Sequence, residues 1–303
     1  MENIGIVGAG VMGLTVAEKL LAAGHPLTVY DISSIAAEKA KHIGARLGQT
    51  PAEVALQANI ILLFLPGPTE VVDCVIAPDG LLTALKPGSV IVDMGTTDPG
   101  TSEKMATEAR EKNVGYLDAP ILGRPSTVGQ WALPVGGQPE DLERCRALFE
   151  IFAARIFHIG PSGTGHKVKL LNQLMFGAIN AMTAEMMAIA EKIGIPPRQL
   201  FEIITASQAG TVSNLFKELG GRVAAGDYNN PTFTVDLLVK DIKLAVRMAR
   251  EKNAPPILGR SVELINEISQ AQGLGAKDTA MMWTSYKGIW EGGRTLNKKK
   301  HPE

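Results

Sequence analysis

One lysine and two carboxamides recur at helical spacing in Gly163-Thr164-Gly165-His166-Lys167-Val168-Lys169-Leu170-Leu171-Asn172-Gln173, an arrangement suited to moving a proton on and off a bound oxygen. At 3.6 residues per turn, Asn172 and Gln173 follow Lys169 by three and four positions and share its face. Lys167 lies about 200° away by the same period, so only Lys169 converges with the amides on one ligand. The plain alternative is a solvated surface lysine. Leu170, Leu171, Leu174, Met175, Ile179, Met182 and Met186 argue against it, because they make the helix apolar around most of its circumference, as expected of a buried element. A lysine near the start of such a helix feels the positive end of the dipole and partial desolvation. Both lower its pKa from a reference near ~10.4, as an acid/base lysine requires.

A second constellation lies at the front of the chain. Gly8-Ala9-Gly10-Val11-Met12-Gly13 directly follows the apolar run Ile4 to Val7 and opens the helical pattern Leu14 to Ala23; a second strand then ends in Asp31, eighteen residues beyond Gly13. GxGxxG alone is weak, but strand, turn, helix and acidic residue together describe a dinucleotide site. The glycines allow a tight turn and close approach of backbone to pyrophosphate, which the helix amino terminus, including Val11 and Met12, stabilises. Asp31 would accept hydrogen bonds from a ribose diol and repel a 2′-phosphate. Ile32, Ser33 and Ser34 follow it with no arginine, so NAD is favoured over NADP. The alternative is a glycine turn with an N-cap aspartate. Leu65-Pro66 and Gly95-Thr96-Thr97 close further strands, where open α/β sheets bind ligands. Thr96 or Thr97 could equally be a helix cap, since Asp98-Pro99 follow.

Those residues need a scaffold. Ile4 to Val7, Leu27 to Tyr30, Ile60 to Leu65, Val90 to Met94 and Gly115 to Asp118 read as strands alternating with helices, with a further pair at Ala132 to Val135 and Ile156 to Ile159. The expectation is an α/β Rossmann domain with a parallel-rich, doubly wound sheet over residues 1–162. An all-α domain over 163–303 follows, with a long helix at about 164–193 bridging the two. Gly194-Ile195-Pro196-Pro197 and Asn229-Asn230-Pro231-Thr232 read as helix breaks, and Lys298 to Glu303 as a solvated tail.

Composition bounds the chemistry. With 303 residues, 30 basic and 31 acidic side chains and a net charge of −1, nothing favours nucleic acid or a membrane surface as partner, so the substrate should be small. Cys74 and Cys145 are too few for a disulfide framework, and the amino terminus runs straight into a strand, which points to a reducing, cytoplasmic setting. No apolar stretch of about 20 residues predicts a membrane span. The five histidines lack ligand spacing, so no metal is expected.

Taken in order, Gly8 to Gly13, Asp118-Ala119-Pro120-Ile121-Leu122-Gly123, Gly163-x-Gly165-x-x-x-Lys169-x-x-Asn172-Gln173 and Phe233-x-x-x-Leu237-x-x-Lys240-Asp241 resemble the β-hydroxyacid dehydrogenase family over nearly the whole chain. The resemblance implies a Rossmann domain, a helical domain and a substrate held between them and the nicotinamide. It further implies Lys169 as catalytic lysine, Asn172 as substrate-orienting and Lys240 as a second lysine near cofactor and substrate. Phe233, Leu237, Lys240 and Leu244 share a helical stripe, which supports that role, although a snorkelling lysine fits the same pattern.

Leu122-Gly123-Arg124-Pro125 departs from the family's Ser-Gly-Gly, whose serine and glycine backbone bind the substrate carboxylate. Leu122 removes the hydroxyl, and either Arg124 replaces it as a bidentate anion fork or it is an arginine of a surface loop or structural salt bridge. A Gly-Arg pair here resembles the sulfolactaldehyde reductase branch. The reading is an NAD-dependent oxidoreductase interconverting a small anionic hydroxy acid and its semialdehyde or keto form. An imine reductase, which generally lacks the lysine, and a non-catalytic nucleotide-binding module are the other classes. Met175 to Met187 and Ala280-Met281-Met282-Trp283 suggest a homodimer or homotetramer through the helical domain.

Overall fold

The structure is a computed structural model that describes residues 2–206, 213–228 and 230–290. Asn229 of the second break and the Lys298 to Glu303 tail lie outside them. The chain divides into two compact units after Leu170.

The first unit alternates strand and helix: β1 Ile4–Val7, α1 Val11–Ala22, β2 Leu27–Tyr30, α2 Ser34–His42, β3 Arg46–Leu47, α3 Pro51–Gln57, β4 Ile60–Leu63, α4 Pro68–Ile76, β5 Val90–Asp93, α5 Pro99–Glu111, β6 Gly115–Asp118, β7 Trp131–Gly136, α6 Pro139–Phe149 and β8 Ala153–Gly160. These strands form one sheet in the order β3-β2-β1-β4-β5-β6-β7-β8, parallel except where β6 meets β7. Both faces are covered, which is why the strands read as unbroken apolar runs. Ile60, Leu62, Val90 and Val92 pack on one face, and Ile61, Leu63 and Ile91 on the other.

Several elements differ from their sequence reading. Helix α1 begins at Val11 rather than Leu14, and β4 and β5 stop at Leu63 and Asp93, short of Leu65 and Met94. Pro66 has no N–H to continue a ladder. Strand β3 was not expected, because two residues carry no periodicity. The last two strands are longer than expected.

Helix α7, Thr164–Lys192, runs across the division. Its face is not buried all round: Leu171, Met175, Met182 and Ile189 are exposed. Beyond it lie α8 Pro197–Ala206, α9 Asn214–Ala225, α10 Val235–Glu251, α11 Ile257–Ser269 and α12 Trp283–Trp290. Their core joins Ala184, Ala188, Leu238, Ile242 and Val262. Ala280 and Met282, read as surplus apolar surface, fill this unit's own interior instead, whereas Ile257, Leu258 and Leu264 of α11 are exposed.

Candidate functional site

Strand order reverses about β1 and β4, so their carboxyl ends flank the crevice where such sheets take ligands. Gly8 turns the chain there with φ +97, and a side chain on it would strike the Phe64 carbonyl at the end of β4. A Cβ on Gly13 would strike the Gly8 carbonyl, which lets α1 start close against the turn. A Cβ on Gly10, by contrast, would meet no atom within 4 Å. Gly10 is also the N-cap of α1 and offers no side-chain cap, so no cap side chain competes with a ligand for the first-turn N–H groups. Asp31 follows β2; its Oδ2 accepts from Ala9 N (2.6 Å) and its Oδ1 from Ser33 N (2.7 Å). This cradle fits a dinucleotide pyrophosphate, with one carboxylate fixed beside the glycine turn.

At the end of β5 the ambiguity over the threonines resolves. Asp98 caps α5, accepting from Thr101 N at 3.0 Å, so neither Thr96 nor Thr97 is the cap. Thr97 is buried and Thr96 half-buried beside Gly95, while after β4 Leu65 is half-buried and Pro66 exposed.

The third strand end carries Lys169. Asp118, the last residue of β6, accepts from the amides of Gly163 (2.7 Å) and His166 (2.9 Å), and so caps the start of α7 from across the sheet. Gly163 has φ +91, and a Cβ on Gly165 would press on the Asp118 and Pro134 carbonyls; only this glycine pair lets the helix approach so closely. One turn on, Lys169 Nζ donates to the Ile121 carbonyl at 2.7 Å. Lys167 points elsewhere and pairs with Glu103 at 3.3 Å. The 163–169 segment and the loop after β6 are therefore one construction.

That loop is held rigidly. Leu122 and Ala132 exchange both backbone hydrogen bonds (2.9 and 3.2 Å), so the Leu122 amide is engaged. Trp131 Nε1 donates to the Arg124 carbonyl at 2.7 Å, and Arg124 N donates to Thr127 Oγ1 at 3.2 Å. A side chain on Gly123 would run into the Trp131 ring. Arg124 itself is half-buried.

In the second unit, Asn172 Nδ2 donates to Gln173 Oε1 at 3.3 Å, and Gln173 Nε2 donates to Asp241 Oδ2 at 2.5 Å. Lys240 Nζ pairs with Asp241 Oδ1 at 2.8 Å. Asn172 is exposed, Lys240 half-buried, and Gln173 and Asp241 buried. Asp241 was missed as a functional residue, although a carboxylate among Leu238, Ile242 and Ala245 on the apolar face of α10 was a signal for it.

Asp93, Tyr116 and His166 were missed as well. Tyr116 donates to Asp93 Oδ2 at 3.3 Å, and burial together with that carboxylate pushes its pKa well up. Burial also raises the Asp118 carboxyl, against the opposing charge of His166 and two backbone hydrogen bonds. Burial pushes the Cys74 thiol up to about 12, which makes it inert. Among the described residues no His, Cys, Asp and Glu side chains gather as a metal site, and no helix is long and apolar enough to cross a membrane.

Known proteins resemble this chain. Residues 3–160 match the family described as the NAD binding domain of 6-phosphogluconate dehydrogenase, and residues 163–286 match that described as NAD-binding of NADP-dependent 3-hydroxyisobutyrate dehydrogenase. The chain is 30% identical to a probable mitochondrial 3-hydroxyisobutyrate dehydrogenase of Dictyostelium discoideum, over 93% of its own length and 90% of the relative's. It is 31% identical to the 2-(hydroxymethyl)glutarate dehydrogenase of Eubacterium barkeri, over 95% and 96%. The crystal structure of 3-hydroxyisobutyrate dehydrogenase from Salmonella typhimurium superposes with a TM-score of 0.87 at 25% identity, over 94% of this chain and 99% of that one.

Proposed function

Because the chain belongs to the 3-hydroxyisobutyrate dehydrogenase-like β-hydroxyacid dehydrogenase family, whose members are NAD(P)-dependent oxidoreductases acting on CH–OH groups, we propose that it interconverts a small anionic hydroxy acid and its semialdehyde or keto form, with Lys169 as general acid and base and NAD as cofactor. The observation that carries this reading is the Lys169 Nζ to Ile121 carbonyl hydrogen bond of 2.7 Å, which aims the lysine at the carboxyl end of the nucleotide-binding sheet.

Gly8, Gly10, Val11, Met12 and Gly13 would hold the pyrophosphate and Asp31 the ribose diol, with Leu65, Pro66, Thr96 and Lys240 along the rest of the cofactor. The bound dinucleotide supplies or accepts the hydride. In reduction, protonated Lys169 gives its proton to the carbonyl oxygen; in oxidation the amine takes the hydroxyl proton. Asn172 orients that oxygen, and Gln173 acts through Asp241 on the setting of Lys240. Gly123 and Arg124 bind the substrate's anionic end beside Leu122. The fixed Arg124 main chain and the Trp131 wall support a guanidinium held for one anion geometry. The exposed Leu171, Met175, Met182, Ile257 and Leu258 support pairing of copies through the helical unit as a dimer or tetramer.

Oxidation of NADH and NADPH is measured against small aldehydes bearing a carboxylate, sulfonate or phosphate. Lys169→Ala should keep NADH binding and lose most turnover, on the order of 100-fold or more. Arg124→Ala should raise KM for the aldehyde with kcat little changed. Wild-type turnover in Lys169→Ala refutes the assignment, and turnover only with a ketone plus an amine moves it to imines.

A further inference from the structure

Under the first turn of α7 lies a group of ionisable side chains that the proposed reaction does not use. Asp93 and Asp118 end the neighbouring strands β5 and β6, stand opposite each other in register and are both wholly buried. Paired strands lie about 4.8 Å apart, so these two carboxylates repel across a short, dry gap. His166, also wholly buried, meets both of them. Its Nε2 lies 4.0 Å from Asp93 Oδ2 and its Nδ1 3.9 Å from Asp118 Oδ2. The same Nδ1 is 2.7 Å from Ser102 Oγ on α5. Tyr116 on β6 directs its hydroxyl to Asp93, and the buried Cys74 thiol of α4, also near that carboxylate, is held protonated by burial.

We propose that His166 is held as an imidazolium between Asp93 and Asp118, and that this buried triad is the device that positions Lys169. The Ser102 hydroxyl can donate to or accept from Nδ1, so it fixes no charge state; a neutral imidazole can turn its one N–H toward Asp93 or toward Asp118, whereas the imidazolium presents an N–H and a positive charge to both carboxylates, 4.0 and 3.9 Å away. Its charge also offsets the carboxylate repulsion. Asp118 is thereby kept ionised with its oxygens on the amides of Gly163 and His166, which set the first turn of α7. Lys169 follows His166 by three residues on that helix, and the chain leaving Asp118 reaches Ile121, whose carbonyl takes the lysine Nζ. Without the charge on His166, Asp118 takes up a proton or moves, the turn loosens, and the lysine loses its aim. His166 touches no substrate in this account and is a positioning residue; the role rests on Lys169 being the proton-transferring group.

The test uses the full chain labelled with ¹⁵N-histidine. The His166 signal is assigned by replacing His25, His42, His158 and His301 in turn, so the assignment does not depend on a His166 variant that folds. Both ring nitrogens should be protonated at pH 8, well above the ordinary histidine pKa of about 6.5. A neutral tautomer at that pH overturns the ion triad. In parallel, His166→Gln should lower kcat on the order of 10- to 100-fold with NADH affinity unchanged, as expected of a lysine displaced by a fraction of an ångström. Wild-type kcat in His166→Gln overturns the positioning role. If Lys169→Ala turns over like the wild type, the reaction reading falls and takes that role with it, while the ring spectrum still decides the triad.

Discussion

Asp241 gives the sharpest test of how the second unit holds its polar residues. It is 1% exposed and accepts from the Gln173 amide at 2.5 Å while pairing with Lys240 at 2.8 Å. Asp241→Ala removes a charge-assisted hydrogen bond, about 1.5–3 kcal/mol, and leaves the buried Gln173 amide without that acceptor, about 1–3 kcal/mol. The two figures overlap. The Lys240 side chain is 26% exposed, so its ammonium can reach water and adds little. The expected net loss is about 2–4 kcal/mol. Asp241→Asn keeps an acceptor for Gln173 and should cost about 1 kcal/mol. Introducing Gln173→Leu first removes the orphaned amide, so Asp241→Ala in that background should cost less by about 1–2 kcal/mol of coupling. Urea unfolding of the four proteins, followed by fluorescence and far-UV circular dichroism, measures the cycle. An Asp241→Ala protein within about 0.5 kcal/mol of wild type, or strict additivity with Gln173→Leu, would refute the reasoning.

Two other perturbations separate folding from binding. Gly10→Ala places a methyl where nothing stands within 4 Å, so it should cost no more than about 1 kcal/mol of stability, the worth of an N-cap, yet weaken NADH binding at least about tenfold. Gly13→Ala presses on the Gly8 carbonyl and should instead lower the melting temperature, by about 1–3 kcal/mol of overpacking; equal melting temperatures for the two variants would contradict the assignment. Burial raises the Asp118 carboxyl above 3.8, so the folded state keeps its proton to higher pH than the unfolded chain. The stability this group contributes is therefore full below pH 3.8 and lost as pH rises through the raised value. Asp118→Asn should flatten the stability profile just above pH 3.8, and a profile parallel to wild type in urea would rule this out.

Much of this was legible in the chain because the residues obey strong local rules. Ile4 to Val7 and Ile60 to Leu63 are apolar without alternation, as strands covered on both faces must be. Gly165 and Lys169 stand four residues apart on one helix, so their shared face needed no tertiary information. Two-residue β3 carries no period, and only its pairing with β2 makes it a strand. Likewise, nothing local says that the apolar Leu171 and Met175 face outward while Gln173 between them faces in; packing against α10 decides that. Asp93 and Asp118 stood in plain view at strand ends, but their meeting with His166 spans 73 and 48 positions of sequence and exists only in the fold.

Lys169 Nζ donates to a peptide carbonyl, that of Ile121. An ion pair weakens when a lysine gives up its proton. A carbonyl takes an N–H from an ammonium and from an amine alike. In the proposed reaction this hydrogen bond would therefore persist through the change in charge, holding the nitrogen in one place in either direction.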